Sequence, residues 1–113
     1  MSDQKDDAPV TKFAGKQIDP NDLALQELGV VRKLSDMDTS LQREVGEIAH
    51  AAVRKYSVEN DVADFIKAAL EDKYPRTWQV IVGTNFGSMV THESKFFMYF
   101  YIGQLAFLVW KSN

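Results

Sequence analysis

The spacing of apolar positions changes twice along this chain, and each change marks a boundary. Residues 1–27 show no sustained period; they are polar, mixed in charge, and hold Pro9, Gly15 and Pro20. A stretch of that composition buries too little apolar surface to offset the entropy of ordering, and it reads as a mostly disordered tail. The alternative is a short docked helical turn built on Leu23, Leu25 and Leu28. "GVVRKL" (Gly29 to Leu34) is a short strand-like run. After "SDMDTS" the period becomes helical, with Leu41, Val45, Ile48, Ala52 and Tyr56 on one stripe. Asp38 or Thr39 supplies the N-cap, and Thr39 with Gln42 has the spacing of a capping box. Ser57 breaks this helix and is placed to cap a second one. That helix buries Val62, Phe65, Ile66, Ala69 and Leu70, with Glu59 and Asp61 in its first turn, where they favour the helix dipole. Tyr74–Pro75 stops it, because proline disfavours helical geometry in the residue before it.

From Trp78 onward the period is two. "TWQVIVG", "NFGSMVTH", "KFFMYFYI" and "LAFLVWK" read as four strands, the last two joined tightly at Gly103–Gln104. Two helices followed by antiparallel strands make an α+β domain over residues 28–113, in the order β-α-α-β-β-β-β. The third strand places Phe96, Met98, Phe100 and Ile102 on one face and Phe97, Tyr99 and Tyr101 on the other. Both faces suit a core, yet tyrosine hydroxyls want partners, and a face carrying two of them suits an interface or groove. "VGTNFGSMVTHESK" (Val82 to Lys95) is the anomaly: it alternates like a strand but is too polar and too rich in glycine for a sheet centre.

Composition narrows the chemistry. The 113 residues amount to one domain, 45% hydrophobic and 12% aromatic, within the range of globular chains. A net charge of −3 gives no electrostatic case for binding nucleic acid. Without cysteine there is no disulfide, no thiolate nucleophile and no Cys-based zinc site. The acidic start of "MSDQKDDAPV" lacks the form of a signal peptide, and no apolar run is long enough to span a bilayer, so a soluble cytoplasmic protein is expected.

Candidate catalytic groups do not converge. His92–Glu93 lacks the second histidine of a zinc-protease helix, and a turn or polar-interface role accounts for it better. Ser88 and Ser94 lie near His92 without a nucleophile elbow. The glycines of "GTNFG" lack the spacing of a dinucleotide or phosphate loop and suit tight turns or close backbone approach. No enzyme activity, metal or cofactor is expected.

One resemblance covers about Val31 to Asn113. Asn85-Phe86-Gly87-Ser88, Val90-Thr91-His92-Glu93, Tyr99-Phe100-Tyr101 and Gly103-Gln104, followed by a terminal Lys-Ser, closely resemble the eight-kilodalton dynein light chains in content and order. "SDM" (Ser35 to Met37) and the helix from Glu59 stand where that family has them. The resemblance implies a strand-swapped homodimer, in which the strand over residues 85–91 pairs with the partner's sheet. It also implies a non-catalytic peptide-binding hub and light-chain subunit of the dynein motor complex, in the cytoplasm on the microtubule cytoskeleton or in the axoneme. Its partners would be the dynein intermediate chain and other clients with Thr-Gln-Thr-like motifs, with no nucleic acid and no membrane. Clients would add as an extra strand, the main chain supplying affinity and side-chain pockets selectivity. The alternative role is a specialised structural axonemal paralogue with one permanent partner.

Carried onto this sequence, the peptide site would comprise Asn85, Phe86, Gly87, Ser88, Met89, Val90 and Thr91, which offer the ladder, over a floor of Phe97, Tyr99, Tyr101, Ala106 and Leu108. Glu59 and Asn60 would offer helix-start donors, and Lys33 would stand at the far end. The dimer interface would include Lys67, Gln79, Asn85, Phe86, Ser88, Thr91 and Ser112. Met89, Phe96, Thr84 and Asn60 depart from the family's usual residues in or beside the groove, which implies a changed client preference and less taste for acidic flanks. Gln79 stands where the family commonly has a titratable histidine, and a phosphate on Ser112 would oppose dimerisation by like-charge repulsion.

Overall fold

The computed structural model describes residues 12–13, 16–17, 19–74, 77–84 and 95–111. Two short strands, β1 (Lys12–Phe13) and β2 (Lys16–Gln17), pair with each other ahead of helix α1 (Pro20–Glu27). Strand β3 (Val30–Ser35) then leads into α2 (Thr39–Lys55) and α3 (Glu59–Lys73). The remaining strands are β4 (Trp78–Gly83), β5 (Lys95–Ile102) and β6 (Leu105–Lys111). They form one antiparallel sheet with β3 in the order β3-β5-β6-β4, so the α+β class stands. The strand expected over residues 85–92 lies outside the described residues.

The sheet has two unlike faces because side chains alternate along each strand. Met98, Phe100, Phe107 and Val109 point to the helices and are fully buried, with Phe100 stacked on Phe107 at 4.8 Å and 4°. Val45, Ala49 and Ala52 of α2 and Val62, Ile66 and Leu70 of α3 close over them. The stripe read from α2 is correct in position but centred on small residues: Leu41, Ile48 and Tyr56 are only half-buried at its margins. In α3, Phe65 and Ala69 likewise flank rather than fill the core.

The helix caps agree with the sequence expectation only in part. Asp38 is the N-cap of α2, its Oδ1 accepting from the Leu41 N–H at 2.8 Å. Gln42 does not complete a capping box; it is buried and donates Nε2–H to the Met37 carbonyl at 2.7 Å. A buried amide gains more from a partner in the interior than from closing a helix end at the surface. The N-cap of α3 is Val58 rather than Ser57, and no side chain caps that helix.

Helix α1 occupies part of the segment that composition left as a tail. Pro20 at its first turn and Asp19, whose Oδ1 accepts from the Asn21 N–H at 2.9 Å, define its start. Leu25 is fully buried against α2 at Gly46, where an added Cβ would lie 3.0 Å from Leu25 Cδ2. The left-handed Gly29, at φ +76°, turns the chain from α1 into β3.

Side chains also clamp the far end of the helical layer. The Lys67 ammonium donates to the Trp78 carbonyl at 2.6 Å and to Glu71 at 2.7 Å, while Glu71 accepts from the Trp78 N–H at 3.1 Å. Both main-chain groups of Trp78 are therefore held by α3 at the start of β4. Glu44 of α2 accepts from the Tyr74 hydroxyl and pairs with Lys73, tying α2 to the end of α3. The hydrogen bond from Lys73, then that from Tyr74, holds the Glu44 carboxyl below its ordinary 4.5.

Two outcomes follow from this packing. A Gly46→Val substitution forces Leu25 out of its seat and lowers stability by about 1–3 kcal/mol, read as a lower urea midpoint. Glu44 contributes stability in full above the ordinary carboxylate value and loses it as pH falls through the lowered folded value. Glu44→Gln is accordingly less stable than the parent at neutral pH, and the gap narrows as the pH of urea titrations is lowered from about 5 to about 3.

Candidate functional site

The face of the sheet turned away from the helices carries most of the described site residues. The register sets Tyr99 beside Leu108 and Tyr101 beside Ala106 across β5 and β6. On β4, Ile81 pairs with Leu108 and Gln79 with Trp110, so these residues share that outer face. Phe97 and Ala106 are buried within it, whereas Tyr99, Tyr101 and Leu108 are half-buried. Val31, Leu34 and Ile81, at 49%, 39% and 45% exposure, make the face apolar as well as open.

A β-bulge shapes one end of this face. Arg32 pairs with Phe100 and Leu34 with Tyr99, so Lys33 is the extra residue in β3. The Lys33 ammonium lies 5.7 Å from the centre of the Tyr101 ring. Tyr101 and Tyr99 approach hydroxyl to hydroxyl at 3.2 Å. That hydrogen bond, then burial, raises the Tyr99 hydroxyl above its ordinary value of 10.0, so the Tyr99 phenol is neutral at physiological pH. Val31, Lys33, Tyr99, Tyr101 and Gly103 together line a shallow depression of about 420 Å³. It offers an ammonium, two hydroxyls and aromatic faces, which suits an extended polar chain better than a compact reactive centre.

Glu59 and Asn60 line a separate depression with Ser57 and Val58, at the uncapped start of α3. The first N–H groups of a helix are without intrahelical partners, and among the described residues no side chain caps this one. Lys67, expected at a subunit interface, is committed to Glu71 and Trp78. Asn85, Phe86, Gly87, Ser88, Met89, Val90, Thr91 and Ser112 lie outside the described residues, as does the His92–Glu93 pair. Val31, Leu34, Ile81 and Trp110 are not among the site residues expected from the sequence. The alternation of β4 could have found Ile81, but the bulge beside Leu34 depends on a pairing that sequence does not display. Among the described residues no group of three or more acidic or histidine side chains could hold a metal ion.

Among the described strands, β4 is an edge of the sheet. Because the main chain of Trp78 points to α3 and away from β6, the antiparallel alternation turns that of Val80 and Val82 the same way. The edge thus presents donors and acceptors beside the apolar outer face.

Known proteins share this arrangement. The family described as Dynein light chain type 1 matches residues 30–112. A relative from Debaryomyces hansenii, "Dynein light chain 1, cytoplasmic", is 50% identical over 83 residues, which are 74% of this chain and 91% of that protein. Among solved structures, the dynein light chain-like domain of the Fasciola hepatica calcium binding protein FhCaBP2 aligns with a TM-score of 0.65 at 25% identity. The alignment covers 74% of this chain and 91% of that one. The light chain-like domain of CsTAL3 shares the fold at a TM-score of 0.64 and 14% identity, over 74% of this chain and 93% of its own. With half of its matched residues identical to those of such a relative, and the same sheet and helices in place, this chain belongs to the dynein light chain family.

Proposed function

We propose that this chain is a non-catalytic light-chain subunit of the dynein motor complex that works as a homodimer and receives short disordered client segments by β-strand addition. The observation that carries the proposal is the open apolar face formed by Val31, Leu34 and Ile81 with Tyr99, Tyr101 and Leu108. A sheet whose second face is this apolar gains by being covered, and a second copy of the same face is self-complementary about a two-fold axis. The open β4 edge gives the partner's strand over residues 85–91 a place to pair, and that strand in turn offers its far side to a client.

The name of the Debaryomyces relative, a cytoplasmic dynein light chain, supports a cytoplasmic setting. Short segments of this kind bind near the micromolar level, about −8 kcal/mol. Two parallel grooves answer that weakness, since a dimeric client gains about 10²- to 10⁴-fold in avidity. Such a protein aligns two chains and transforms neither. An axonemal paralogue with one permanent occupant would use the same surfaces and differ in its response to added peptide.

Sedimentation equilibrium combined with calorimetry tests the proposal. The chain is expected to be dimeric at low micromolar concentration and to take two Thr-Gln-Thr-like peptides per dimer, whereas Ile81→Glu is monomeric. A monomeric parent chain would remove the dimer, and a dimer that takes up no peptide would favour the permanent occupant. Gln79, opposite Trp110 on the outer face, carries an amide that does not titrate. The dimer should therefore hold between about pH 5 and 7 in the same sedimentation runs.

A further inference from the structure

We infer that helix α1, which precedes the residues shared with the family, sets the position of Lys33 on the outer face by holding Arg32. This rests on the peptide-binding reading above only for its consequence; the coupling itself stands on the packing.

The path runs through a polar network that is buried at Asn21 and Gln42 and half-buried at Arg32 and Asp22. Arg32, the residue next to the bulge, directs Nη2 to Asp22 Oδ1 of α1 at 2.8 Å and Nη1 to Gln42 Oε1 of α2 at 3.0 Å. Gln42 cannot turn over, because its Nε2 already donates to the Met37 carbonyl. Its Oε1 therefore faces both Arg32 and Asn21, whose Nδ2 donates to it at 3.0 Å. Asn21 and Gln42 are each 6% exposed, and Asn21 Oδ1 meets no donor among the described residues. Leaving a buried acceptor without a donor costs free energy, so the network is held by what it gains elsewhere, at Arg32.

Helix α1 is a firm support for such a hold. Asp19 and Pro20 fix its first turn, Leu25 is seated at Gly46, and the His50 Nδ1 lies 3.0 Å from the Leu28 carbonyl at its far end. A guanidinium gripped on two sides fixes its own backbone, and a bulge is a place where register can otherwise slip. The next residue is Lys33. Its contact with the Tyr101 ring is weak by itself, so small shifts of the bulge decide whether the ammonium stays over the ring. Residues 20–28, outside the matched span of 30–112, thereby tune a residue within it.

The test uses the full chain with Asp22→Ala, Asp22→Glu, Lys33→Ala and the double variant Asp22→Ala with Lys33→Ala. Two measurements are made: amide resonances by NMR, and affinity for a labelled Thr-Gln-Thr-like peptide. Asp22→Ala is expected to shift the resonances of Lys33, Leu34 and Tyr101 and to weaken the peptide by about two- to fivefold. Asp22→Glu restores both, and Asp22→Ala adds no further loss once Lys33 is alanine. Unmoved Lys33 and Tyr101 resonances in Asp22→Ala would overturn the inference, as would an equal loss of affinity in the Lys33→Ala background. If the parent chain binds no peptide, the functional reading fails alone, and the resonances still decide the coupling.

Discussion

The alternation of β5 and β6 is the constraint from which the rest of the molecule follows. With a period of two, each strand must send half its side chains to the helices and half to the opposite side. The half that meets the helices, led by Met98, Phe100, Phe107 and Val109, is large, apolar and fully buried. That burial is the main source of stability, and it fixes the register of every strand, because a slip of one residue would exchange the two faces. The tyrosines are then committed to the outside, whatever covers them there. Core and outer face are two sides of one sheet, so a change of register in one is a change in the other.

Much of this was legible because it is local. The shift from helical to strand spacing at Trp78, the stop at Tyr74–Pro75 and the turn at Gly103–Gln104 each depend on neighbours in sequence. What escaped depends on distant partners. Gln42 has the spacing of a capping residue, and only the presence of Asn21 and Arg32 around it shows why its amide turns inward. Helix α1 has weak amphipathic character, with Leu25 as its one fully buried apolar side chain, so composition alone understates it. The extra residue in β3 is visible only once Arg32 and Leu34 are matched to adjacent positions in β5. Of the site, Tyr99 and Tyr101 could be assigned to one face from spacing, whereas Lys33 was placed by family resemblance and its contact with Tyr101 is a fact of the fold.

Family membership and the individual features of this chain are carried by different parts of it. Residues 30–112 hold the shared sheet and the two long helices. The added helix is joined to them by a small apolar seat at Gly46 and by polar groups satisfied mostly by one another. A polar joint of this kind specifies one docking pose more sharply than an apolar one, because its donors and acceptors match in a single arrangement. The helix is therefore held in register with β3 and does not merely rest against it.

The clasp of Lys67 and Glu71 on Trp78 occupies main-chain groups at the start of an edge strand. An unprotected edge recruits any extended chain, in any register, and can grow without end. Here the first outward-facing pair of β4 is already occupied by side chains of its own molecule. Among the described residues, the rest of the outward-facing edge is the main chain of Val80 and Val82. A lysine and a glutamate one helical turn apart thus close the Trp78 end of this edge with side chains of the same molecule.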